Sequence, residues 1–159
     1  GDAIAVALLA RAGLSAEEFR VWHPGGKLGS KLRHVADLMI RESDLAMVGP
    51  ETLMDAALIA LSEKNLGSVI IVDAAQQLLG IITDGDLKRH MGPDLLARPV
   101  KDIMTARPRT IGPDELAASA LEVMVNPGGN AITSLVVANT EGRVVGLIRV
   151  QELLKAGLV

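Results

Sequence analysis

The chain has no cysteine among its 159 residues, so neither a disulfide framework nor thiol chemistry is open to it, and the composition suits a reducing compartment. Aromatic residues make up 1% of it, Phe19 and Trp22, which excludes base-stacking platforms and an aromatic carbohydrate groove. A basic surplus is missing too. A net charge of -3 and a pI near 5.6 argue against a phosphate-backbone partner, so no nucleic acid is expected. The longest apolar runs, such as AIAVALLA and SVIIV, are too short to span a bilayer, and no charged segment precedes a cleavable apolar one. No membrane association is expected, and the cytoplasm is the expected location. What is present is a chain 49% hydrophobic and 22% charged, enough to bury a real core in one ordinary domain or two small ones. It opens on Gly-Asp-Ala with no initiator Met, as expected of a piece of something longer.

Internal repetition organises the rest. VADLM at Val35 to Met39 returns as VKDIM at Val100 to Met104, GPETL at Gly49 as GPDEL at Gly112, and LGIITDGDL at Leu79 as VGLIRVQEL at Val145. The offsets of 65, 63 and 66 residues drift as loop lengths change while elements persist. In each copy Gly-Pro-acid reads as a helix start, because Pro at the first helical position lacks only an N–H that had no partner and the carboxylate meets the positive end of the helix. Leu53, Ala56, Ala57, Ala60 and Leu61, echoed by Leu116, Ala120, Val123 and Met124, fall at helical spacing and predict the buried faces. Two apolar strands follow, SVIIVD and LLGIIT in one copy, SLVVAN and VVGLIR in the other, and then a short helix. Neither unit is large enough to hide its apolar surface alone, which predicts an α+β fold of two βαββα repeats packed about a pseudo-twofold axis.

The junction ITDGD places Thr83 and Asp86 three residues apart where a buried strand passes into a helix. Ligands of open sheets commonly sit beyond the C-terminal ends of strands. There a Thr83 hydroxyl can meet a phosphate, and an Asp86 carboxylate can accept from paired hydroxyls as an acidic residue does on a ribose. Read alone, the same acids also serve simply as helix caps. Gly67 and Ser68, and in the second copy Thr133 and Ser134, stand at the entrances of the first apolar strands and are further candidate contacts, although each reads equally as an ordinary polar strand entrance. In the second copy Thr83 is replaced by Arg149 and Asp86 by Glu152. Arg149 either grips a carboxylate or phosphate bidentately, or pairs with Glu152 on the surface at little gain. Metal-ligand spacing, a phosphate-binding loop and a nucleophile elbow are all absent.

The repeated pattern, with LMIRESDLAMVGPETLMDAALIALSEKNLGSVIIVDAAQQLLGIITDGDL in its first copy, resembles a tandem CBS (cystathionine-β-synthase-type) module from Val35 to Val159. GDAIAVALLARAGLSAEEFRVWHPGGKLG is similar to the closing segment of the sugar isomerase domain of bacterial arabinose-5-phosphate isomerases. The resemblance divides the chain into an isomerase-domain remnant and linker over 1–34, a first repeat over 35–93 and a second over 98–159. It implies Ser or Thr toward a phosphate and Asp toward a ribose, with Ala46 to Val48 and Thr110 to Ile111 bordering a base. It places His23 in the active site of the intact isomerase, where a His can move the proton that interconverts ketose and aldose phosphates; in this chain by itself Pro-Gly-Gly is a turn and His23 a solvated residue. It implies no required cofactor and a regulatory effector, for which CMP-Kdo, the activated sugar of lipopolysaccharide synthesis, is the first expectation and adenine nucleotides the competitor. Self-association as a face-to-face dimer, and a higher oligomer in the intact enzyme, follow the family habit. The competing reading is a module that has lost its ligand and serves as an oligomerisation platform.

Overall fold

The computed structural model describes residues 32–125 and 132–158. The first repeat runs α1 (Val35–Leu38), β1 (Ile40–Arg41), β2 (Met47–Val48), α2 (Met54–Lys64), β3 (Ser68–Val72), β4 (Leu78–Thr83) and α3 (Asp84–Arg89). The second runs β5 (Thr105–Ala106), β6 (Thr110–Ile111), α4 (Ala117–Met124), β7 (Ser134–Ala138), β8 (Val144–Arg149) and α5 (Val150–Lys155). One four-stranded sheet has the order β2-β3-β4-β5 and the other β6-β7-β8-β1. In both, the central hairpin comes from one repeat and an edge strand from the lead-in of the other.

The compact units do not coincide with the sequence repeats. One holds residues 40–110 with 138–146; the described part of the other holds residues 32–39, 111–125, 132–137 and 147–158. Backbone hydrogen bonds show why. In the unit built on the first repeat, Met54 N–H donates to Arg98 C=O (2.9 Å) and Val100 N–H to Thr52 C=O (2.8 Å). In the other, Ala117 N–H donates to Arg33 C=O and Val35 N–H to Glu115 C=O, both at 2.8 Å. Each helix start thus satisfies its first orphan donor on a crossing strand-like segment.

This overturns the expected helix starts. Gly49-Pro50-Glu51-Thr52 and Gly112-Pro113-Asp114-Glu115 form turns closed by Thr52 N–H on Gly49 C=O and Glu115 N–H on Gly112 C=O (both 3.2 Å). Helices begin only at Met54 and Ala117, after extended caps at Leu53 and Leu116 that bridge to Pro99 and His34. The expected buried faces hold in part. Met54 and Ala57 are buried on α2 while Leu53 and Ala56 are exposed; Ala117, Ala120 and Met124 are buried on α4, where Leu116 is exposed. In the first unit Met54 and Ala57 pack with Ala46, Val69, Ile71, Ile82, Leu95, Val100 and Ile103. Ser68 to Ile71 are buried without a break, as the continuous apolar strand requires.

Two glycine-bearing positions hold the site's neighbourhood in place. Asn65 closes α2 in the left-handed conformation, and Gly67 follows at φ +81° to turn the chain into β3. Gly80 on β4 faces Ala106 of β5, and a methyl group there would stand 2.4 Å from the Met104 sulfur and 2.8 Å from the Thr105 carbonyl oxygen. The missing side chain lets β5 reach the sheet. Gly80→Ala therefore forces β5 outward and should destabilise the fold by about 1–3 kcal/mol, read from urea unfolding midpoints of the wild-type and substituted chains.

Candidate functional site

β4 passes into α3 without an intervening loop. Thr83, extended at φ -118° and ψ 177°, is the residue before the helix, and Asp86 reaches back to it from the third helical position. The backbone N–H of Thr83 donates to Asp86 Oδ2 (2.9 Å), and so does its hydroxyl (3.1 Å). With the Thr83 side chain in turn receiving the Asp86 backbone N–H, this is a capping box. The other carboxylate oxygen accepts the Thr105 hydroxyl at 2.6 Å and the guanidinium of Arg89. Four donors fill the roughly four acceptor positions of an ionised carboxylate, and Asp86 is left 2% exposed. Burial pushes its carboxyl up, but the hydrogen bonds from Thr105, from the Thr83 backbone and hydroxyl and from Arg89 together outweigh it and hold it below its ordinary range.

Across the hairpin, Ser68 is the direct partner of Thr83 in the antiparallel register, so their side chains share one face of the sheet. Ser68 is 3% exposed, and its hydroxyl has no hydrogen-bond partner among the described residues. Such a group is costly to leave dry and unpaired. Beside it, the space where a side chain on Gly67 would stand is open. Val48 pairs with Ile71, three residues along β3 from Ser68, so it flanks the same strand without meeting Thr83 or Asp86 directly. The structure therefore gathers Gly67, Ser68, Thr83 and Asp86 at one end of the β3–β4 hairpin.

The second repeat builds the same junction from different chemistry. Arg149 precedes α5 in the extended conformation, and its Nε and a terminal nitrogen clasp both oxygens of Glu152 at 3.0, 3.2 and 2.8 Å. The Arg149 backbone N–H adds 2.8 Å to the same carboxylate. These side chains are only 15% and 9% exposed, so the ion pair is largely withdrawn from water and is not the surface pair considered from sequence. The guanidinium spends its fork internally. Hydrogen bonding to Glu152 raises the Arg149 pKa further. Thr133 accepts the Val150 N–H through its carbonyl (2.9 Å), which ties it and Ser134 at the start of β7 to the same junction.

Sequence reasoning missed two members of the first network. Arg89 lies in the short helix after β4, three residues beyond Asp86, and that spacing alone does not mark it as the partner. Thr105 lies 19 residues beyond Asp86, on the lead-in of the other repeat. The repeat alignment does carry a signal for it: VKDIMT ends in a hydroxyl where VADLMI ends in Ile40. His23 lies outside the described residues. Among the described residues, no group of His, Asp and Glu could hold a metal ion, and no helix is long and apolar enough to cross a membrane.

Two junctions of this construction, each on a hairpin edged by the other repeat's lead-in, define the architecture of a CBS pair. The family model for the CBS domain matches residues 35–92 and again 100–159, and the chain belongs to that family. Among curated relatives, the arabinose 5-phosphate isomerase KdsD of Yersinia pestis is 38% identical over the whole of this chain, which covers 48% of that protein. KdsD of Escherichia coli K12 is 39% identical with the same coverage. The chain thus spans about half the length of the curated relatives it matches, and CBS repeats account for residues 35–92 and 100–159 of it. Solved structures agree on the fold. CBSX2 of Arabidopsis thaliana, determined in complex with AMP, is 24% identical with a TM-score of 0.66 over 79% of this chain and 96% of its own. The CBS domain of a bacterial CNNM/CorC magnesium transporter in complex with ATP is 17% identical with a TM-score of 0.69 over 82% and 91%.

Arg149→Met strips Glu152 of its buried partner and should cost about 3 kcal/mol in denaturant unfolding, with much of that recovered when Glu152→Gln is added. Asp86 predicts a different signature. Its folded pKa lies below the unfolded one, so its contribution is full above about pH 4 and is lost as pH falls through the folded value. The stability gap between wild type and Asp86→Asn, measured by urea melts from pH 7 to pH 2.5, should hold constant to about pH 4 and then narrow.

Proposed function

We propose that the chain is the regulatory half of an arabinose-5-phosphate isomerase and that the Thr83–Asp86 junction of its first repeat binds an anionic effector carrying a ribose. The observation that carries this reading is the Ser68 hydroxyl, buried and unpartnered on the face it shares with Thr83. A ligand phosphate seated between the two hydroxyls would satisfy it, and the Gly67 opening leaves room for close approach. Asp86 would take the ribose hydroxyls, with Val48 and the neighbouring Ala46 and Met47 bordering the base. The AMP and ATP complexes of CBS pairs of the same fold support a nucleotide as the class of ligand. The likeness to KdsD supports CMP-Kdo as the particular one, because feedback from the activated end product of Kdo synthesis would act on the enzyme that supplies its precursor. On this reading the module works in the cytoplasm, needs no cofactor and self-associates, while isomerisation belongs to the remainder of the parent enzyme, where His23 would contribute.

A scaffold reading, with no ligand retained, draws on the second junction, where the Arg149–Glu152 pair already fills the place a ligand would take. Substitution at Ser68 separates the two. An unpartnered buried hydroxyl only burdens the ligand-free fold, so Ser68→Ala should leave the melting temperature unchanged or raise it by a few °C, never lower it. Calorimetric titration of the chain with CMP-Kdo, CMP and AMP should show binding by at least one of them, weakened about tenfold or more in Ser68→Ala. Absence of heat and of thermal stabilisation with all three would leave the scaffold standing.

A further inference from the structure

The carboxylate that a ribose would need is already full. Asp86 accepts four hydrogen bonds and is 2% exposed, so a diol reaches it only by displacing a donor. The four differ in how freely they leave. The Thr83 N–H and hydroxyl belong to the helix cap, and Thr105 is fixed on β5 by pairing with Ile81. Arg89 alone among them is held by a long side chain that is 63% exposed. It folds back over the first turn of α3, and Gly85 makes room for it. A methyl group on Gly85 would stand 3.3 Å from an Arg89 terminal nitrogen and 3.7 Å from the Thr83 hydroxyl. The guanidinium therefore packs over Gly85 as well as on Asp86.

Resting on the nucleotide reading above, we infer that Arg89 is an exchangeable counter-ion: it occupies Asp86 in the free module and moves to the ligand's anionic group when ribose hydroxyls take its place. The charge balance makes the exchange selective. A neutral nucleoside that displaces Arg89 gives Asp86 hydroxyls but no counter-charge and leaves the cation unpaired, which opposes binding. A nucleoside phosphate restores both, since its hydroxyls donate to Asp86 and its phosphate accepts the guanidinium and the Ser68 and Thr83 hydroxyls. The unpartnered Ser68 hydroxyl, an observation independent of Arg89, marks the place where that anion would sit. Arg89 is thereby a specificity-determining residue that demands an anion in addition to a diol.

The test compares AMP with adenosine and CMP with cytidine by calorimetry on the wild-type chain, Arg89→Ala and Arg89→Lys, with melting temperatures confirming that each variant folds. The wild type should prefer the monophosphate of the binding pair by at least about tenfold. Arg89→Ala should reduce that ratio to about threefold or less by losing phosphate affinity and holding or gaining nucleoside affinity, and Arg89→Lys should retain an intermediate ratio. A ratio that Arg89→Ala leaves unchanged overturns the exchange while the nucleotide site survives. Wild-type binding of none of the four compounds, nor of CMP-Kdo, overturns the site itself.

Discussion

The buried carboxylate of Asp86 is the interaction on which the first repeat's functional end depends. It closes α3 at its start through Thr83, draws the folded-back Arg89 over the helix, and anchors β5 through Thr105. An ionised group so withdrawn from water is tolerable only when its acceptor positions are filled. That requirement links three pieces of chain which sequence separates: the strand end, the helix and the lead-in of the next repeat. Gly80 belongs to the same arrangement, because β5 reaches the sheet only where β4 presents no side chain.

The exchange of lead-ins explains why neither repeat is a unit by itself. Each helix start hands its first N–H to the lead-in of the other copy, and each sheet takes that lead-in as an edge strand. Edge strands only two residues long would pair too weakly to persist alone. The turn of the second hairpin joins the first unit as well: Gln77 bridges to Arg143, and Gln76 donates to the Val144 carbonyl at 2.7 Å. Each compact unit thus contains chain from both repeats.

Within that shared frame the two junctions have diverged in chemistry and kept geometry. Thr83 and Arg149 occupy the same place before a six-residue helix, and Asp86 and Glu152 the same third position. In the first, a short carboxylate draws on donors from several elements and leaves a neighbouring hydroxyl unpaired. In the second, one guanidinium saturates one longer carboxylate, and the corresponding lead-in residue, Ile40, has no hydroxyl to offer. An arrangement that closes on itself stabilises a helix start; one held partly by an exposed side chain can open.

The amino-acid sequence by itself determined the duplication, the order of elements, the continuous burial of β3 and the paired positions 83 and 86, because these follow from periodicity, apolar runs and local spacing. The resemblance of ITDGDL and its surroundings carried the family. Tertiary structure alone decided the rest. The Gly-Pro-acid segments became turns and Leu53 and Leu116 left the buried helix faces, taken by crossing segments that local propensity does not register, while Ala57, Ala120 and Met124 stayed buried as their spacing predicts. Thr105 came to Asp86 from the other repeat, and Ser68 was left without a partner, for the same reason: hydrogen bonds between distant segments depend on which backbones meet, and a local reading of residues contains no such information.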